Sequence, residues 1–191
     1  MHLFERFRLL AALAYFVTAA AQAPCMASDD PPKVGQTVAD FELPALDGGT
    51  VKLSDAAKTG PVVLVVLRGF PGYQCPVCNK QVGQFLGQAE AFKAAGATVL
   101  MVYPGVKMNL KQRAEEFMTG KTLPDHFRLL VDGDYKFTNA YNLRWDAPNK
   151  TAYPSTFIIQ PDMKVSFAVV SKTHGGRAQA GDVLKALSAR P

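Results

Sequence analysis

The segment PVVLVVL (residues 61–67) sets seven apolar residues in a row, four of them the β-branched valine. Nothing polar alternates within it, so a strand built from it has no face to give to water and must be covered on both sides. That demand points to a layered α/β domain with helices packed above and below a sheet. A second run, TVLMVYP (98–104), repeats the pattern. Between the two, Val82, Phe85, Leu86, Ala89 and Phe92 fall at the i, i+3, i+4, i+7 spacing of one buried helical face. This predicts a helix over Pro76–Ala95, stopped at Gly96. Strand, helix and strand then make a crossover unit whose two strands lie parallel.

The rest of the chain extends this plan. VADFELPALDGGTVKLSD reads as short strands around a Gly48-Gly49 hairpin turn. A helix around 109–118, a strand FRLLVD (127–132) and a short helix near 134–141 follow. STFIIQ and KVSFAVV flank PDM as an antiparallel hairpin, and AGDVLKALSAR closes the chain as an amphipathic helix. The expected fold class is α/β, with a mixed central sheet flanked by helices on both faces. The segment 105–125 is an insertion that either borders a substrate site or covers the sheet, the second being its default role. At 191 residues, 48% of them hydrophobic, the chain has enough apolar material for one domain with a proper core. The 21 Lys and Arg exceed the 16 Asp and Glu only mildly and form no dense stripe, so no nucleic-acid partner is expected.

The N-terminus has a different character. MHLFERFR is short and net positive, and LLAALAYFVTAAAQA after it is rich in Ala and Leu. Together they have the form of a secretory signal peptide over residues 1–27, with cleavage after Ala21, Ala23 or Ala27, leaving a folded domain of 28–191. The run is too short for a comfortable membrane span, so no stable span is expected after processing. Cys25 follows Pro24 rather than a small residue, which argues against a lipid anchor. Export, with the periplasm as the expected location, matters for the cysteines. Disulfides persist there unless a dedicated reductant opens them.

Cys25 sits at the processing site, which leaves Cys75 and Cys78 in RGFPGYQCPVCNKQ as the dependable pair. They fall where the first buried strand hands over to the long helix, with Pro76 at the first helical position, where its missing N–H is harmless. Free N–H groups and the positive end of the helix dipole favour a thiolate there. A structural zinc site needs about four ligands; there is no second cysteine pair, and His126 and His174 are distant in sequence. An inert structural disulfide would be odd between residues so close at a helix start. The pattern favours redox chemistry, with no metal and no cofactor.

A strand, a CxxC at a helix N-terminus and AYPSTFII some way downstream resemble the thioredoxin fold. The resemblance implies that Pro154, flanked by Tyr153 and Ser155, takes the place of the cis-proline that faces the cysteines. A finer resemblance is to the AhpC/TSA peroxiredoxins in their redoxin-like form. VGQTVADFELPALDGGTVKLSDAAKTGPVVLVVLRGF and FRLLVDGDYKFTNAYNL are similar to that family's N-terminal and mid-chain segments. The family's active-site pattern of Pro, three residues, Thr, two residues, Cys is matched in spacing by Pro71, Cys75 and Cys78. Cys75 stands in the threonine's place and Cys78 in the peroxidatic cysteine's place. The family's arginine before the late strand has no counterpart in TAYPST. Arg68, Arg144 and Arg177 are substitutes by composition, of which Arg68 and Arg144 are the more readily placed.

The resemblance implies a thiol-dependent peroxidase: Cys78 attacks a hydroperoxide, Cys75 resolves the sulfenic acid, and an external dithiol reduces the disulfide. The same motif also suits an exported thiol-disulfide oxidoreductase, in which Cys75 attacks a protein disulfide and Cys78 releases it. The extent of the match outside the loop favours the peroxidase, and the order of attack stays open. A copper-binding chaperone with His174 as third ligand is a weaker reading, since such proteins usually carry three residues between the cysteines.

Overall fold

The computed structural model describes residues 29–189, so the leader and Cys25 lie outside the described residues. β1 (Glu42–Pro44) and β2 (Thr50–Lys52) pair antiparallel across the Gly48-Gly49 turn, both glycines having the positive φ such a turn requires. A short helix, α1 (Leu53–Ala57), follows, whose five residues carry too little periodicity to be legible in the sequence. The remaining strands are β3 (Val62–Val66), β4 (Thr98–Gly105), β5 (Phe127–Gly133), β6 (Ser155–Ile159) and β7 (Val165–Val170). They form one sheet in the order β5-β4-β3-β6-β7. β3 runs parallel to β4 and β4 to β5, while β6 is antiparallel to both β3 and β7, which makes the sheet mixed as expected.

Both faces of β3 are buried, and alternation assigns them. Val63 and Val65 join a core with Met101, Phe127 and Ile158, covered by residues of α2 (Pro76–Leu86), α3 (Ala89–Ala94), α4 (Leu110–Met118) and α6 (Ala180–Ser188). Val62, Leu64 and Val66 join the opposite core with Leu100, Phe157 and Ile159, covered by α1 and α5 (Lys136–Ala140). The segment 105–125 supplies Leu110, Ala114 and Phe117 to the first core, its default role.

The single helix predicted over Pro76–Ala95 is two helices. The chain leaves helical geometry at Gln88 (φ −119°, ψ 21°), just after Gly87, where two glycines within five residues weaken the helix. The break turns Phe92 onto Phe85, their rings stacked at 5.3 Å and 6°, with Phe127 set edge-on to Phe92 at 6.0 Å. Packing three rings into one core outweighs continuity of the backbone ladder.

Candidate active site

β3 sits in the middle of the sheet and delivers Arg68 to its end. The loop then turns at Gly69, whose φ of +68° suits glycine, and a Cβ there would overlap the carbonyl oxygen of Pro104. That carbonyl accepts the Phe70 N–H at 3.2 Å, so the loop is pressed against the end of β4. It returns to start α2 with Cys75 as the extended N-cap and Pro76 at the first helical position.

Each sulfur accepts one backbone N–H and lies against one shared guanidinium. The Cys75 Sγ accepts the Cys78 N–H at 3.4 Å, the capping bond of α2. The Cys78 Sγ accepts the Arg68 backbone N–H, also at 3.4 Å. The guanidinium of Arg177 straddles the pair, with Nη1 3.4 Å from the Cys78 Sγ and Nη2 3.9 Å from the Cys75 Sγ. Arg177 is held in turn by the Gln81 Oε1 (2.9 Å) and the His174 carbonyl (3.0 Å). Both thiols are free and buried, Cys75 at 1% and Cys78 at 0% exposure, so neither is the outer cysteine by accessibility.

This arrangement lets the pair hold one negative charge. The Cys75 thiol is lowered from 9.0 to about 5, chiefly because the Cys78 thiol donates to its sulfur, with Arg177 and Arg68 adding to the effect. The Cys78 thiol is pushed well up, because it keeps the proton it donates and because it is buried. The resting charge therefore lies on Cys75, although the shorter guanidinium contact is to Cys78.

Arg68 reaches the site by its backbone N–H and also by its buried side chain. Its Nη1 meets the Tyr73 Oη at 2.5 Å and the His174 Nδ1 at 3.3 Å, and its Nη2 donates to the Asn149 carbonyl at 2.6 Å. Its carbonyl accepts the Thr151 hydroxyl. Arg144 is a correction: its guanidinium donates to the carbonyls of Trp145 (2.6 Å) and Thr151 (2.6 Å) and stacks 4.0 Å over Tyr135. It braces the 145–151 turn, whereas Arg177, ranked behind it by sequence, touches both sulfurs. A loop arginine just before the last helix carries no local signal for that position; only the fold brings the end of β7 beside α2.

Pro71 lies in the active loop, half-buried, and Pro76 is exposed at the start of α2. Pro154 is buried and its bond to Tyr153 is trans, which corrects the cis-proline expectation. Its carbonyl accepts the Ser171 N–H at 2.9 Å, a pairing that extends the β6–β7 ladder by one step. Tyr153 stacks on Trp145 at 5.0 Å, and the Ser155 hydroxyl donates back to the Tyr153 carbonyl at 2.8 Å. These three shape the turn before β6 and place no polar side-chain atom on either sulfur in the described contacts. His174, the copper candidate, has its two ring nitrogens facing Arg68 and Lys150.

The AhpC/TSA family profile matches residues 34–168. Peroxiredoxin Bcp of Bacillus subtilis (strain 168) is 30% identical over 111 residues, covering 58% of this chain and 64% of that relative, a little under two thirds of its length. The crystal structure of peroxidoxin BcpB from Mycobacterium tuberculosis is similar with a TM-score of 0.65 and 26% identity, covering 84% of this chain and 99% of the other. Mycobacterium tuberculosis AhpC shares the fold at a TM-score of 0.66 and 19% identity, covering 84% and 93%.

Proposed function

The chain belongs to the AhpC/TSA family, a family of thioredoxin-fold oxidoreductases of the peroxiredoxin type, and from that premise we propose that it reduces hydroperoxides by cycling Cys75 and Cys78 between dithiol and disulfide. The observation that carries this reading is the Arg177 fork, which touches both sulfurs from one buried guanidinium. A peroxide brought to either sulfur meets that cation, placed where charge develops as the O–O bond breaks.

The attack is assigned to Cys78, which holds the peroxidatic place in the Pro71-Cys75-Cys78 spacing and has the Arg68 N–H and Arg177 Nη1 aimed at its sulfur. The Cys75 thiolate takes the proton of Cys78 along the hydrogen bond that already joins them. The Cys78 thiolate then attacks the outer peroxide oxygen. An S–O bond forms, the O–O bond breaks, and the departing alkoxide or hydroxide takes a proton to leave as alcohol or water. The Cys75 sulfur next attacks the sulfenic acid: the S–S bond forms, the S–O bond breaks, and water leaves. An external dithiol returns the disulfide to two thiols and is itself oxidised. Stopped-flow oxidation of the reduced protein, followed by Trp145 emission, tests this. Second-order oxidation that disappears in Cys78→Ser, and that in Cys75→Ser persists more slowly and stops at the sulfenic acid because both the proton acceptor and the resolving sulfur are gone, supports the assignment.

One observation favours a second reading: the resting charge sits on Cys75, at the N-cap, as an attacking CxxC cysteine would carry it. The protein would then be a thiol-disulfide oxidoreductase, and protein-disulfide turnover lost in Cys75→Ser would be its sign. For location, the leader 1–27 supports export to the periplasm. The mass of the chain recovered from that compartment is expected to lack 21 to 27 residues. No described helix is long and apolar enough to cross a membrane.

A further inference from the structure

Three cationic side chains converge beside the dithiol. Arg68 and Arg177 are buried at 1% and 8% exposure, and the Lys150 Nζ lies 2.6 Å from the His174 Nε2. Among the described residues no carboxylate comes within 4.0 Å of any of the three; the described ion pairs are made by other side chains, including Arg113 with Glu116 at 2.9 Å at the cleft next to the active loop. A buried guanidinium without a carboxylate is costly, and two of them side by side are more so. Arg177 is answered by the single charge of the thiol pair. Arg68 shares the field of that thiolate, but among the described residues its hydrogen bonds go only to neutral acceptors and its buried Nε has no partner.

The donors also outnumber the acceptors. The His174 ring stands between the Arg68 Nη1 at 3.3 Å and the Lys150 Nζ at 2.6 Å. A neutral imidazole has one accepting nitrogen, so it can satisfy one of these cations and turns an N–H toward the other. Protonating His174 would leave both unsatisfied, and its pKa is lowered by burial, then by Arg68 and Lys150. Beyond the single charge of the thiol pair, the described residues supply no anion for this surplus. A cleft of about 430 Å³ next to the active loop is lined by Lys150, Asn149 and Arg113 together with Phe70, Pro71 and Met108, and Arg68 stands behind its wall, bonded to the Asn149 carbonyl at 2.6 Å.

We propose that Arg68, Lys150 and His174 form an anion subsite beside the dithiol that takes the carboxylate of a small organic reactant, whose apolar part lies along Phe70, Pro71 and Met108. The carboxylate accepts from Lys150 and from whichever Arg68 donor the ring leaves unsatisfied. The carrier of that carboxylate is either the hydroperoxide or a small thiol that reopens the disulfide. This identification rests on the cycle proposed above, whereas carboxylate binding itself is read with a probe that does not react.

Trp145 is the only tryptophan in the chain, its ring 4.6 Å from the Lys150 Nζ and 5.6 Å from the His174 ring, so it reports on the subsite. The reduced protein is titrated with sodium butyrate at constant ionic strength, with butyramide as the neutral isostere. A saturable change in Trp145 emission is expected with butyrate alone, lost in Lys150→Met and kept in Lys150→Arg, with thermal melting confirming that both variants fold. Equal responses to butyrate and butyramide, or an unaltered titration in Lys150→Met, would overturn the subsite whatever the peroxidase assay shows. Two rate comparisons then identify the carrier. One sets tert-butyl hydroperoxide against a carboxylate-bearing hydroperoxide on the reduced protein; the other sets 2-mercaptoethanol against 3-mercaptopropionate on the oxidised protein. In one pair the carboxylate member is expected to react about tenfold faster, a difference of about 1.4 kcal/mol. No advantage in either pair removes the claim that a reactant is the ligand.

Discussion

Because the Cys78 thiol donates to the Cys75 sulfur while Arg177 reaches both, the pair titrates as a unit. Ultraviolet thiolate absorbance of the reduced protein is expected to rise by one thiolate per chain with a midpoint near 5, the second appearing only above the ordinary thiol range. Cys78→Ala removes the donor, so the remaining Cys75 midpoint must move up; an unchanged midpoint would assign the lowering to the arginines instead. The same shift bears on stability. A thiol lowered in the folded state stabilises fully above its unfolded value and loses that contribution as pH falls through the folded value. The reduced protein is therefore expected to melt at progressively lower temperature as pH falls from about 9 toward 5, and Cys75→Ser is expected to flatten that dependence. The raised Cys78 thiol acts with the opposite sign and only above that window. Arg177→Met leaves both sulfurs without their shared cation. By analogy with the loss of one oxyanion donor, peroxide oxidation is expected to slow by about 100-fold or more, with partial recovery in Arg177→Lys, measured by stopped flow.

At the scale of elements, the site is a strand end, a tight loop and a helix start held together by backbone contacts. Gly69 is the pivot, combining a φ of +68° with the carbonyl of Pro104 where a side chain would go. Gly69→Ala is expected to lose about 1–3 kcal/mol in denaturant unfolding and to slow peroxide oxidation, because the loop it displaces carries the Arg68 N–H to Cys78. A stability loss with full activity would show that the loop relaxes without moving Arg68. The spacing of Pro71, Cys75 and Cys78 and the role of Pro76 at the helix start were legible in the sequence, since both depend on neighbours along the chain. The break at Gln88 was not, because an apolar face at helical spacing looks the same whether one helix or two carries it.

For the whole molecule, one sheet with two cores explains why residues distant in sequence meet. β3 lies between parallel and antiparallel partners, so its end collects loops from β4, from the 145–151 turn and from the segment after β7. The first core contains both cysteines together with Phe85, Phe92 and Phe127, so the dithiol is anchored in packed material. Phe92→Ala is expected to lower unfolding stability by about 3–5 kcal/mol, seen as a reduced denaturant midpoint with an unchanged slope. A loss below 1 kcal/mol would mean that α3 can detach without disturbing the core.

The sequence by itself determined the α/β layering, through strands with no polar face, and it located the dithiol at a helix start and the family to which the chain belongs. Those properties are carried by periodicity and by residues a few positions apart. Only the tertiary structure decided which arginine serves the sulfurs. Arg68, Arg144 and Arg177 are chemically alike, and nothing in their neighbours separates them. Arg144 turns to the carbonyls of its own loop, while Arg177 is carried across the molecule by the β6–β7 hairpin to lie against α2. A buried cation costs so much that it settles where carbonyls, a thiolate or an anion receive it, and those partners exist only once the sheet has assembled.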